Sequence, residues 1–244
     1  MYISKTNKSI FILLILFTFF IGLSFGFVSA ASSGPNNGAT FANDATVGTE
    51  DWDNPSKAAI SDNSRAEADL DDNEVSKYLK VTNFSFAIPD GATIDGIKVD
   101  VERHAEDANR IKDNSSRIVK GGVIGATNKA NTSSFWGTSD AYVSYGSPTD
   151  LWGLAWTPAD INAANFGFAF AAKKDTTSGG DTEAKVDHIR ITVYYTQKGH
   201  LIVQKTTNPS GDLTVFTIAA SGTGTITGGG AGTVTDAIDK DYEV

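Results

Sequence analysis

Two segments of the chain alternate apolar and polar residues with a period of two. In the first, Ile97, Val99 and Val101 alternate with Lys98, Asp100 and Glu102. In the second, Ile189, Ile191, Val193 and Tyr195 alternate with Arg190, Thr192 and Tyr194. Successive side chains of a strand point to opposite faces, so each segment predicts a strand with one dry and one wet face. Two such strands far apart in sequence read as partners in an antiparallel β-sandwich. A charge at Val99 or Ile191 is then expected to unfold the domain, whereas Asp100 and Thr192 are expected to face water. Pro89-Asp90-Gly91 supplies the turn before the first strand, because Pro presets φ and Gly accepts a positive one.

The same pattern predicts strands over residues 39–43, 77–81, 83–88, 93–103, 117–124, 142–145, 166–172 and 186–196. Phe84, Phe86 and Ile88 make one inward row, and Phe166, Phe168 and Phe170 a second. Behind the second row Gly167, Ala169 and Ala171 are all small, which predicts close packing on that side too. Trp152, Leu154 and Trp156 alternate as a strand burying one face. One short helix is expected at 157–162, with Thr157 as N-cap, Pro158 in the first turn and Asp160 at the positive end of the helix dipole. The fold class is all-β.

Residues 1–30 read as a signal peptide. Lys5 and Lys8 precede an apolar run over 10–28, and Val28-Ser29-Ala30 offers the small residues that precede cleavage, placing a mature start at Ala31. The run is also about the ~20 residues that cross a bilayer, so an uncleaved anchor is the rival reading and the one route to a membrane. Both place the remainder outside the cytoplasm, secreted or at the cell surface. Without residues 1–30 the chain carries 18 basic and 29 acidic side chains, a net of −11. Such a surface argues against nucleic acid as a partner and leaves an extracellular or surface partner, with glycan as a candidate. Cysteine is absent, so the fold rests on its apolar core, and thiol chemistry and Cys-type zinc sites are excluded.

Lys198-Gly199 marks a boundary between a sandwich domain over 31–197 and a Thr/Gly-rich tail over 198–244. The opening strand Gly199-His200-Leu201-Ile202-Val203-Gln204-Lys205, the strand Phe216-Thr217-Ile218, Gly228-Gly229-Gly230 and the closing Asp241-Tyr242-Glu243-Val244 resemble the first half of the prealbumin-like repeats of bacterial surface proteins, the SpaA or Cna-B type. That resemblance implies an incomplete prealbumin-like (Ig-like) β-domain of stalk or pilin kind. It also implies an isopeptide-forming lysine at Lys205, although the partner strand and acidic helper are missing from the match. The larger domain resembles the jelly-roll-like modules of very large secreted proteins. The residues that carry this are Trp52-Asp53-Asn54-Pro55, residues 88–103, Tyr145-Gly146-Ser147-Pro148-Thr149-Asp150-Leu151-Trp152-Gly153 and residues 186–195. It implies a jelly-roll-like sandwich and an extracellular location, with no shared activity.

Asp69, Asp71, Asp72 and Glu74 form the densest set of hard oxygens, a candidate calcium site without EF-hand spacing, set against a solvated acidic turn. Asp175, Asp181 and Glu183 make a weaker set. Phe135-Trp136, in a Ser/Thr-rich stretch, is the candidate ligand-facing aromatic pair, while Trp152 and Trp156 are expected in the core. His104, His188 and His200 are scattered, and no nucleophile elbow, metal-binding histidine pair or phosphate loop occurs. His188 lies between Asp187 and Ile189 in a strand, where a hydrogen-bonded structural histidine is expected. The chain is therefore read as non-catalytic, with no cofactor beyond the candidate calcium. Glycosylation sequons start at Asn83, Asn114 and Asn131, of which Asn114 and Asn131 are expected in loops and Asn83 at the head of a buried strand.

Overall fold

The computed structural model describes residues 21–24, 29–177, 179–197 and 202–205. The rest of the expected export segment and of the tail, with its second strand, glycine run and closing residues, lies outside the described residues. Two compact units divide the chain, the larger spanning Val28–Lys198. In the other, β1 (Ile21–Ser24) pairs antiparallel with β12 (Ile202–Lys205), placing Lys205 opposite Ile21.

The larger unit is an all-β sandwich. One sheet holds, in order, β3 (Thr40–Asp44), β5 (Tyr78–Thr82), β10 (Gly167–Lys174), β7 (Ile111–Lys120) and β8 (Val123–Ile124). The other runs β2 (Ser29–Asn37), β11 (Thr182–Gln197), β6 (Thr93–Ala105) and β9 (Ala141–Gly146), and β4 (Ala66–Leu70) also pairs with β11. The two amphipathic segments are neighbours, with Val99 opposite Ile191 and Asp100 opposite Arg190. Ile97, Val99, Val101, Ile189, Ile191 and Val193 are all fully buried against the Phe168 and Phe170 row of the facing sheet. Trp136, Tyr145 and Trp152 stack around those two rings at centroid distances of 5.7 to 6.0 Å. Aromatic contacts of this spacing add to the apolar burial that holds the layers together.

The small residues behind the Phe row behave as expected. Ala169 and Ala171 pack with Tyr78 and Val119 into a second cluster on the outer side of that sheet, under Val47 and Ile124. A Cβ on Gly167 would sit 1.9 Å from the Val81 carbonyl oxygen, so nothing larger fits.

Two predicted strands are not strands. Residues 83–88 keep the in–out alternation of Phe84, Phe86 and Ile88, all buried, but Asn83 and Ser85 take left-handed φ of 60° and 52°. Among the described residues no strand pairs with this segment; side-chain amides hold its backbone instead. Asn36 donates to the Phe84 carbonyl at 3.0 Å, and Asn162 bonds both the N–H and the C=O of Ile88 at 2.8 and 2.9 Å. Residues 152–156 open with a turn at Trp152-Gly153 instead: Trp152 is left-handed (φ 56°) yet buried, its indole N–H donating to the Ile97 carbonyl at 3.0 Å. Helix α1 (Pro158–Asn162) has the expected Thr157 cap, completed into a capping box by Asp160. Strands β2 and β4 arise where the sequence pattern predicted none, and the expected mature start Ala31 falls inside β2, opposite Tyr195.

Candidate functional site

Polar side chains converge most densely on the outer face of the β11–β6–β9 sheet. On β6 the outward residues are Lys98, Asp100, Glu102 and His104, and register sets their neighbours. Glu102 lies between His188 of β11 and Tyr142 of β9, and Asp100 lies between Arg190 and Ser144. This face is only partly wet. Asp100 is 4 % exposed and Thr192 8 %, which corrects the expectation that both meet water. The cause is lateral crowding: long side chains on adjacent strands lie over one another.

Asp100 accepts from Ser144 Oγ at 2.6 Å and faces Lys98 at 3.1 Å and Arg190 at 3.3 Å. Burial acts to raise its carboxyl, but those donors outweigh it and hold Asp100 below the usual carboxylate range. Arg190 also lies over the Tyr142 ring, 4.1 Å from its centre. His188, 6 % exposed, has both ring nitrogens engaged: Nε2 with Asn37 Oδ1 at 2.9 Å and Nδ1 with the Tyr142 hydroxyl at 2.8 Å. The amide oxygen can only accept, which assigns the proton to Nε2 and makes Nδ1 the acceptor from Tyr142. Burial, followed by the Arg190 charge, pushes His188 below its ordinary value, in keeping with this neutral tautomer. Neither a lone pair nor an N–H is left on His188 for a substrate. Nearby, Asp140 ties His104 (2.6 Å) to Arg65, and these partners hold it low against the opposing effect of burial. Glu102 Oε2 is enclosed and has no hydrogen-bond partner among the described residues.

The two acidic sets meet at one end of the β4–β11 ladder, but not as a calcium cage. Asp69 stands opposite Glu183, and Asp71 lies beside Asp181 across the same pair of strands. Asp72 instead binds the fully buried Lys174 at 2.5 Å, and that ammonium also donates to the Gly180 carbonyl at 2.6 Å. Glu74 turns back to accept from the Asp71 N–H at 2.7 Å, closing the turn. Among the described residues no group of three or more His, Asp or Glu is placed to hold a metal ion. A shared hydrogen bond with Asp181, and its charge, raise the Asp71 carboxyl; burial and the Asp181 and Glu183 charges raise Asp69. Asp175 leaves the group entirely, and the hydrogen bonds from Lys112 and Lys173 lower it to about 2.

The expected aromatic pair divides. Trp136 is 3 % exposed, so it faces the core rather than a ligand; its indole N–H donates to Asp113 Oδ1 at 2.8 Å. Phe135 is 37 % exposed, but Lys112 Nζ sits 4.3 Å over its ring. The reason is local: β-alternation turns adjacent residues to opposite sides, and the buried Asp113 carboxylate attracts the indole N–H. Trp156 is half-buried against the edge of Phe166 at 5.4 Å. Of Lys205 only its place in β12 is described. Asn114 belongs to β7, not a loop, while Asn131 lies in one.

Sequence reasoning missed Tyr142 and Asn37 as partners of His188. They come from β9 and β2, and only the register joins them to β11. No family model, curated protein or solved structure matches the chain. No helix among the described residues is long and apolar enough to cross a membrane.

Proposed function

We propose that the protein is a non-catalytic secreted or cell-surface structural and adhesion protein, its sandwich forming a head and residues 198–244 beginning a stalk repeat. The observation that carries this reading is the burial of Trp136 and Trp152, at 3 % and 1 % exposure. A sugar-binding platform would need such rings in water. Here they are interior packing, and three ion pairs tie charged groups to one another: Arg103 to Asp113, Lys174 to Asp72 and Arg190 to Asp100. That is the chemistry of a stiff module. The test is cell fractionation with mass spectrometry of the exported product. An N-terminus at Ala31 and recovery from the medium or surface are expected, whereas a cytoplasmic product retaining residues 1–30 sinks the reading. Specific retention on a glycan array that is lost in Phe135→Ala would transfer the assignment to a carbohydrate-binding module.

A further inference from the structure

We propose that Asn131 is a glycosylation site, its side-chain nitrogen carrying the first sugar of an oligosaccharide taken from a polyprenyl-phosphate-linked donor. The proposal rests on the export proposed above, because such transfer occurs on translocated chains.

The structure separates the three sequons. Asn83 holds a left-handed φ of 60° directly before the buried Phe84, and its neighbours lead into the core. Asn114 sits inside β7 at the point where pairing with β10 shifts register: Ser115 lies opposite Ala171 and Asp113 opposite Ala172, leaving Asn114 as the extra residue. Asn128 Nδ2 further ties its carbonyl at 3.3 Å. A sugar at either position would stand against packed sheet.

Asn131 differs on every count. Residues 131 to 135 are all exposed. The Asn131 backbone is anchored from below, its N–H donating to Asp113 Oδ2 at 2.9 Å. Its side-chain oxygen accepts from the Ser133 N–H at 3.2 Å, the Ser133 hydroxyl at 2.9 Å and the Ser134 N–H at 3.2 Å. Three donors on Oδ1 fix the orientation of the carboxamide and leave Nδ2 as the atom without a partner among the described residues. The hydroxyl that the sequon requires is thus the one that polarises the acceptor amide. In the transfer a bond forms from Nδ2 to the sugar's anomeric carbon, the bond from that carbon to phosphate oxygen breaks, and the lipid phosphate leaves as Nδ2 loses a proton.

The full chain is translated with endoplasmic-reticulum vesicles that contain oligosaccharyltransferase and its lipid-linked donor, then treated with protease, and the protected product is mapped by mass spectrometry with and without an amidase that removes N-glycans. One glycan at Asn131 is expected, lost in Asn131→Gln and in Ser133→Ala and kept in Asn83→Gln and Asn114→Gln. A protected chain that is bare at Asn131 overturns the proposal while leaving export intact. A chain that stays protease-sensitive outside the vesicles overturns export, and the proposal with it.

Discussion

Arg103 on β6 and Asp113 on β7 meet at 3.0 Å between the two sheets, with side chains 7 % and 0 % exposed. The carboxylate is fully served: Trp136 Nε1 donates to one oxygen at 2.8 Å, and the Tyr145 hydroxyl and Asn131 N–H to the other at 2.8 and 2.9 Å. Arg103 in turn lies 4.3 Å over the Trp136 ring. A buried ion pair of this kind adds little over a well-packed apolar pair, but breaking one side is costly. Arg103→Met is therefore expected to destabilise the sandwich by about 3–5 kcal/mol in urea unfolding. Arg103→Met combined with Asp113→Leu should cost clearly less than the sum of the two single changes. Additive losses would show that the two residues do not act as a pair.

Val99→Asp places a charge on a position of 0 % exposure and is expected to cost several kcal/mol, enough to unfold a domain of ordinary stability. Asp100→Lys, one residue along, sets a third cation beside Lys98 and Arg190 and should cost about 2 kcal/mol, since those partners are partly solvated. Asp100→Asn should cost less than either. Equal melting of Asp100→Lys and the unmodified protein would return this face to water.

That contrast shows what the sequence could and could not reveal. The period-two pattern at 97–101 and 189–193 was enough to pair β6 with β11 and to orient both. It could not show that the polar side is covered, because coverage depends on which long side chains adjacent strands bring alongside. The same limit explains residues 83–88, where the burial pattern of a strand is produced by two left-handed residues and the Asn36 and Asn162 amides. Strand β2 escaped because Ser, Gly, Pro and Asn dominate it and mimic a flexible start. Trp136 was misjudged because its partner, Asp113, lies on another strand.

His188 gives a pH dependence whose sign follows from its burial. Its folded pKa lies below the ordinary 6.5, so the unfolded chain binds a proton that the folded one refuses. Stability is fully present above 6.5 and falls as pH drops below it toward the folded value. His188→Gln should flatten that slope in melts across this window. Nitrogen NMR should find the proton on Nε2 at neutral pH; a proton on Nδ1 would overturn the Tyr142–His188–Asn37 assignment.

Asp71 acts with the opposite sign. Its raised folded pKa means the charged form is disfavoured beside Asp181, so its repulsion is greatest at neutral pH and relaxes on acidification. Asp71→Asn should raise the melting temperature at neutral pH and have little effect in acid. Millimolar calcium should leave the unmodified protein's melting temperature unchanged. A rise that Asp71→Asn and Asp72→Asn abolish would restore a cation site at this end of β4, since binding to the native state must stabilise it.

Among the described residues, the strands of the larger unit pair with one another. β11 pairs with β2, β4 and β6, β6 with β9, and β10 with β5 and β7, while β3 and β8 close the edges of the second sheet. The described end of β11, Gln197, is paired with Ser29. Among the described residues, every rung of these ladders and every member of the apolar core precedes residue 198. A protein spanning residues 31–197 should therefore fold, with a melting temperature within a few degrees of the corresponding transition in the full chain. Among the described ladders it loses the pairings of Ser29 with Gln197 and of Ala30 with Thr196. The discriminating measurement is a thermal melt followed by near-ultraviolet circular dichroism, which reports the packing of Trp136, Trp152 and Tyr145. A shortened protein without that tertiary signal would mean that the tail supplies packing the sandwich needs, and the boundary at Gln197 would have to be abandoned.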